Sequence, residues 1–213
     1  MLLLALDTST PAVTAALHDG TRVIAQACVV DARAHAELLA PQVAAVLDRT
    51  GHRPADLTVV AVGVGPGPFT GLRVGVVTAL TLGSALGLPV HGICSLDALA
   101  WAAEVTGPFT VVTDARRREV YWAAYSDRRT RRGLADVGRP AEVAAAAGAG
   151  PVVGPGAGLH PFADARPTVL SAGALAELAV HRIGTGGELL APRPLYLRRP
   201  DASVPGARKR VLT

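Results

Sequence analysis

Asp7, Thr8, Ser9 and Thr10 follow a short apolar run at the chain start. A carboxylate with hydroxyls at such a turn could hold a metal-bound water or a phosphate. The same side chains also satisfy turn amides, since Asp, Ser and Thr bond to nearby backbone in Asx and Ser/Thr turns. Spacing leaves both readings open. A second candidate is the run Gly65-Pro66-Gly67-Pro68-Phe69-Thr70-Gly71-Leu72-Arg73, between an apolar segment and a helical one. Free amides at a helix start attract anions, which would make Asp7, Thr8, Gly65, Gly67 and Thr70 a remnant anion or nucleotide contact. The loop has neither a Lys-Ser/Thr pair nor the G-x-G-x-x-G spacing, so both common nucleotide loops are rejected.

The six histidines stand at positions 18, 35, 52, 91, 160 and 181. None is three or four residues from another, so no helix can present two of them together to a metal. Ser9, Ser84, Ser95 and Ser171 sit in no G-x-S-x-G turn. The expectation is a chain with no catalytic residues, no metal and no cofactor. Cys28 and Cys94 lie far apart in apolar surroundings, as two buried thiols in a reducing compartment would.

The elements that must position these groups follow from pattern. Residues 2–6, 12–17 and 23–30 read as strands, with Asp19-Gly20 as the turn between the second and third. A helix is expected over 35–49, with an apolar stripe of Leu39, Val43, Val46 and Leu47 and a stop at Gly51. A strand over 57–64 leads through the glycine loop into a long helix over 70–87. After a strand over 89–93 and a helix over 96–105, the second half begins again with strands. Val64-Gly65-Pro66-Gly67 and Val153-Gly154-Pro155-Gly156 end strands at comparable places. The order favours two related α/β lobes, 1–106 and a smaller 107–213, with the C-terminal tail placed to pack back on the first.

Charge divides the same way: the first 106 residues carry a net −3 and the rest +7. Such asymmetry points to a polyanionic partner or to a solvated face. Arg116, Arg117 and Arg118 with Arg128, Arg129, Arg131 and Arg132 are the candidates for contact with such a polyanion. The N-terminus lacks a basic region before its apolar run and reads as a strand, not a signal peptide. The longest apolar stretch, 74–90, is interrupted by glycines and falls short of the roughly 20 residues a membrane span needs. A cytoplasmic protein without a membrane partner is expected.

In the long helix Gly71, Gly75, Ala79, Gly83 and Gly87 recur every four residues. Glycine inside a helix costs about 1 kcal/mol relative to alanine, so the stripe must serve a close approach by another backbone. That backbone is either the chain's own sheet or a partner. The partner reading takes Leu39, Val43, Val46, Leu47, Gly71, Leu72, Gly75, Val76, Ala79 and Gly83 as an interface.

These motifs together resemble the bacterial TsaB family. The resemblance rests on LALDTST at 4–10, Arg33 to Pro41, GPGPFTGLRVG at 65–75, Leu88 to Ala100, and Asp114-Ala115-Arg116 followed by Glu119-Val120-Tyr121. Pro194 to Arg198 is similar to that family's closing segment. Pro68 departs from the pattern, where serine is frequent, and removes a backbone amide from the loop. The resemblance implies two lobes of the actin-like ATPase (ribonuclease H-like) fold. It also implies a non-catalytic subunit that pairs with a metal-bearing TsaD-type subunit and is joined by a TsaE-type P-loop ATPase. Such an assembly moves a threonylcarbamoyl group onto the adenosine beside the anticodon in tRNAs reading codons that begin with A, so the polyanion that the arginines would meet is tRNA. It leaves open whether the chain homodimerises when alone. The competing functions are a small-molecule kinase of the same fold and a metallopeptidase, the latter without its ligands here.

Overall fold

The computed structural model describes residues 1–148 and 150–198. Three antiparallel strands, β1 (Leu3–Asp7), β2 (Ala12–His18) and β3 (Val23–Val30), open the first sheet; β4 (Val59–Gly63) adds in parallel to β1 and β5 (Val90–Ile93) to β4. The second sheet repeats this plan. There β6 (Phe109–Asp114), β7 (Val120–Asp127) and β8 (Thr130–Gly138) are antiparallel, and β9 (Val152–Val153) and β10 (Ala165–Arg166) add in parallel to the β6 side. The orders β3-β2-β1-β4-β5 and β8-β7-β6-β9-β10 are one topology written twice.

Both faces of the first sheet are buried, which is why its central strands are nearly continuous apolar runs. Leu2, Leu4 and Leu6 pack under α1 (His35–Thr50) and α2 (Phe69–Leu86). Leu3 and Ala5, on the opposite face, meet α3 (Ser95–Trp101) and α5 (Ala172–Thr185). The same core takes in Phe109, Val111, Ala123 and Val153 of the second sheet, so α3 and α5 form a middle layer shared by both sheets. The short α4 (Pro140–Ala147) covers the far face of the second sheet through Val143. Although α5 comes late in the chain, it lies on β1 and β2. There the amide of Ala172 donates to Thr14 Oγ1, and that of Gly173 to Gln26 Oε1.

Helix ends follow sequence signals: Gly51 and Gly87 close α1 and α2 in the left-handed conformation at φ 69° and 67°. Pro41 lies inside α1, which continues through it. Two expectations need correction. Cys28 is exposed on β3, and only Cys94 is buried. The small-residue stripe of α2 faces inward. A Cβ at Gly71 would stand 2.5 Å from the Thr8 carbonyl oxygen, one at Gly75 2.5 Å from Thr8 Oγ1, and one at Gly83 2.2 Å from Val90 Cγ2. Leu39, Val46, Leu47, Leu72, Val76 and Ala79 are buried in the same layer, and Val43 is half-buried against it. The close approach the stripe signals is therefore to the chain's own β1 and β5. By length and composition α2 is also the one described helix able to cross a membrane, but its glycine side is packed on a sheet.

Candidate functional site

At the end of β1, Asp7 is fully buried and holds two partners: its Oδ1 accepts the Ser9 amide at 2.6 Å and its Oδ2 the Ser95 hydroxyl at 2.6 Å. Burial pushes its carboxyl above the usual range, while the hydrogen bonds from Ser95 and Ser9 pull it back. Ser95, the first residue of α3, also receives the Gly65 amide at 3.1 Å and gives its own amide to the Gly65 carbonyl. Gly63 leaves room for this arrangement, since a Cβ there would lie 1.6 Å from Asp7 Oδ2. Asp7 is thus a clamp joining β1, the glycine loop and α3.

Thr8 is used in the same internal way. Its hydroxyl donates to the Gly71 carbonyl at 2.7 Å and accepts the Gly75 amide at 2.9 Å. It sits between a carbonyl and an amide four residues apart, the pair that forms a ladder bond in an α-helix. Any side chain at Gly75 would collide with it. Gly67 is buried against Ser9, whose carbonyl oxygen would be 2.3 Å from an added Cβ. Thr70 is exposed. Asp7, Thr8, Gly65, Gly67 and Thr70 therefore do not converge as donors on one point; four of the five hold the loop to β1 and α3.

Between the lobes lies a cleft of about 210 Å³, lined by Ser9, Pro68, Thr113, Asp114, Arg116 and Pro155, among others. The hydroxyls of Ser9 and Thr113 are buried there without a protein partner. Its walls repeat the internal duplication. Gly67 packs on the backbone of Ser9 after β1, and Gly156 on that of Thr113 near the end of β6. Prolines from both strand-end turns narrow it.

The arginines do not form one patch. Arg116, Arg117 and Arg118 make the β6–β7 turn, all three in the left-handed region at φ 62°, 54° and 61°. Arg128 and Arg129 occupy the turn at the other end of β7, eight residues away by strand length, which is roughly 25 Å. Arg132 is exposed on β8. Arg131 departs from expectation: its Nη1 bonds Asp97 Oδ1 at 3.1 Å in a largely buried ion pair. Asp97 is the acid that spacing did not single out. It also accepts the Tyr125 hydroxyl at 2.8 Å and Arg182 Nη2 at 2.8 Å. Burial and this carboxylate push the Tyr125 phenol well above its ordinary range. The signal was present in Leu96-Asp97-Ala98-Leu99-Ala100-Trp101, because a lone acid in an apolar helix must find donors. No group of three His, Cys, Asp or Glu side chains placed to hold a metal lies among the described residues.

Two sheets of identical topology, each opening with an antiparallel three-strand meander and facing the other across a helical layer, define a two-lobed protein of the actin-like ATPase (ribonuclease H-like) fold. YeaZ from Pseudomonas aeruginosa shares this structure with a TM-score of 0.77 at 33% identity, over 92% of this chain and 99% of that one. The family model described as TsaD, tRNA N6-adenosine threonylcarbamoyltransferase, matches residues 29–147. An uncharacterized protein of Mycobacterium tuberculosis is 46% identical over 93% of this chain and 92% of its own length. The Escherichia coli tRNA threonylcarbamoyladenosine biosynthesis protein TsaB is 36% identical over 59% of this chain and 55% of its own. This chain belongs to the TsaB (YeaZ) family.

Proposed function

We propose that the chain is the non-catalytic subunit of an assembly that transfers a threonylcarbamoyl group to tRNA, and that it pairs with a TsaD-type catalytic subunit. A TsaE-type P-loop ATPase and the tRNA complete the assembly. The observation that carries the non-catalytic reading is Asp7. The acid that ends β1 is sealed from solvent, with both oxygens bonded to Ser9 and Ser95. It is not available to a substrate or a metal. A kinase of the same fold would need such an acid open to the cleft, and a metallopeptidase a ligand set.

On this reading the pairing surface is the outward side of α2, opposite its glycines. Phe69, Val77 and Leu80 are exposed there to 48%, 59% and 42%, and Val43 of α1 is half-buried. Apolar area of this kind gains about 25 cal/mol for each Å² removed from water. Without its partner, the same face offers itself to a second copy of the chain. The test is co-purification of Val77→Arg and Leu80→Arg variants with the TsaD-type subunit. An unpaired charge in a desolvated contact should weaken pairing about tenfold or more. The melt of each variant alone should stay within about 0.5 kcal/mol of wild type. Pairing at full strength in both variants would move the interface elsewhere.

A further inference from the structure

The ion pair around Asp97 leaves a surplus of positive charge that the pairing above does not use. Asp97 is nine-tenths buried and meets two guanidiniums, Arg131 from β8 and Arg182 from the last turn of α5. Each is engaged with it through one nitrogen. A guanidinium carries five N–H donors in a fixed fork, so although Arg131 also meets the Cys94 thiol, N–H groups remain on both forks for another acceptor. Both arginines line an open depression of about 310 Å³ between the β7–β8 turn and α5. Arg128 and Arg129 line it too, and the ring of Trp101 holds them in place, with guanidinium carbons 5.2 and 5.3 Å from its centre. The acids on the rim and floor are Asp97 and Glu188. Four arginines against two carboxylates leave a net charge of +2.

We infer that this depression is a phosphate site, in which Arg128, Arg129, Arg131 and Arg182 grip one dianionic phosphate group while Asp97 orients the two inner guanidiniums. The chemistry fits a phosphate in three ways. The surplus charge equals that of a phosphate dianion. Planar forks bind phosphate oxygens in pairs, which a lysine ammonium cannot do. The inner arginines are already ordered by Asp97 and the outer two by Trp101, so little freedom is lost on binding. The phosphate can come from an RNA backbone or from a free phosphorylated compound.

The experiment uses the full chain without any partner, so its outcome is independent of the pairing proposed above. Melting temperature and calorimetry are followed with inorganic phosphate, with pyrophosphate and, at matched ionic strength, with chloride. Bulk tRNA is titrated separately. The variants are Arg128→Ala/Arg129→Ala, in which both changes are exposed, and Arg182→Lys, which keeps the charge facing Asp97 but removes the fork. Phosphate should raise the melting temperature where chloride does not, and the double variant should lose affinity about tenfold with an unchanged melt in chloride. Arg182→Lys should weaken phosphate binding while Asp97 stays paired. If RNA supplies the phosphate, tRNA binds through the same arginines and pyrophosphate displaces it; if a free compound does, tRNA does not compete. The inference is overturned by a phosphate response that the double variant leaves unaltered. It is equally overturned by no response to phosphate or pyrophosphate beyond chloride, together with tRNA binding that is absent or insensitive to the double variant.

Discussion

Asp7 shows how a residue with the right type and place for chemistry becomes a structural clamp. Its carboxylate is enclosed by Gly63, Ser9 and Ser95, and no cation bonds it among the described residues. The folded protein therefore holds the proton more tightly than the unfolded chain does, since burial raises its pKa above the ordinary 3.8. Where the native state binds more protons, stability falls as pH rises. The contribution is most favourable below 3.8, declines as pH climbs toward the elevated value, and is constant above it. Asp7→Asn still accepts the Ser9 amide but cannot ionise. Denaturant titrations of both proteins should show wild type losing stability relative to Asp7→Asn as the pH rises above the ordinary 3.8. A gap that stays flat, or that grows in favour of wild type, would mean that the hydrogen bonds outweigh desolvation.

Helix α2 is an element whose sequence cost is explained by what it covers. Its glycines let the helix sit on Thr8 and Val90, and Thr8 in turn bonds both Gly71 and Gly75. Thr8→Val keeps the shape and removes the hydroxyl, leaving a buried carbonyl and amide without it; the expected loss is about 1–3 kcal/mol. Gly75→Ala gains helix propensity, but its Cβ would overlap Thr8 Oγ1 at 2.5 Å, and overpacking of this kind costs about 1–3 kcal/mol. Urea denaturation should therefore find both variants less stable than wild type. On an outward-facing stripe, Gly75→Ala would instead have stabilised the helix. A stabilised Gly75→Ala would show that α2 does not rest on β1 as described.

At the scale of the whole molecule, the two lobes share material. The middle layer contains α3 from the first half and α5 from the second, and one core joins both sheets through it. A strap then returns: Leu190 pairs with Gly92, the Leu195 amide donates to the Val64 carbonyl, and Arg198 reaches Ala115 and Glu119 on the second lobe. Residues 1–106 expressed alone should lack α5 over β1 and β2, exposing Leu3, Ala5 and Ala16. Such a fragment is expected to aggregate or to melt without cooperativity, and co-expression with 107–213 should restore a single transition. A soluble, cooperatively melting 1–106 fragment would show that the lobes fold independently. Gly92→Val gives a gentler test, since its first side-chain atom would meet the Ala191 carbonyl oxygen at 2.6 Å and lift the strap.

Local pattern was enough for most elements. β3 runs over 23–30, the apolar segment that follows the Asp19-Gly20 turn, and α1 and α2 begin and stop within a residue of their turn and glycine signals. β10, only two residues long, carries too little pattern to be read. Repeated strand order and the paired V-G-P-G turns indicated two related lobes, and ordered motifs indicated the family. Direction was not legible. The spacing of Gly71, Gly75 and Gly83 says that some backbone comes close, but periodicity is the same whether the neighbour is the chain's own sheet or another protein. Nor could spacing reveal that Asp97, Arg131 and Arg182 meet, because they lie on separate elements brought together by the middle layer. The fate of Asp7 was decided in the same way: Ser95 is 88 residues distant. A side chain's reach to solvent depends on which distant segments enclose it, and burial then decides whether a carboxylate is a reagent or a clamp.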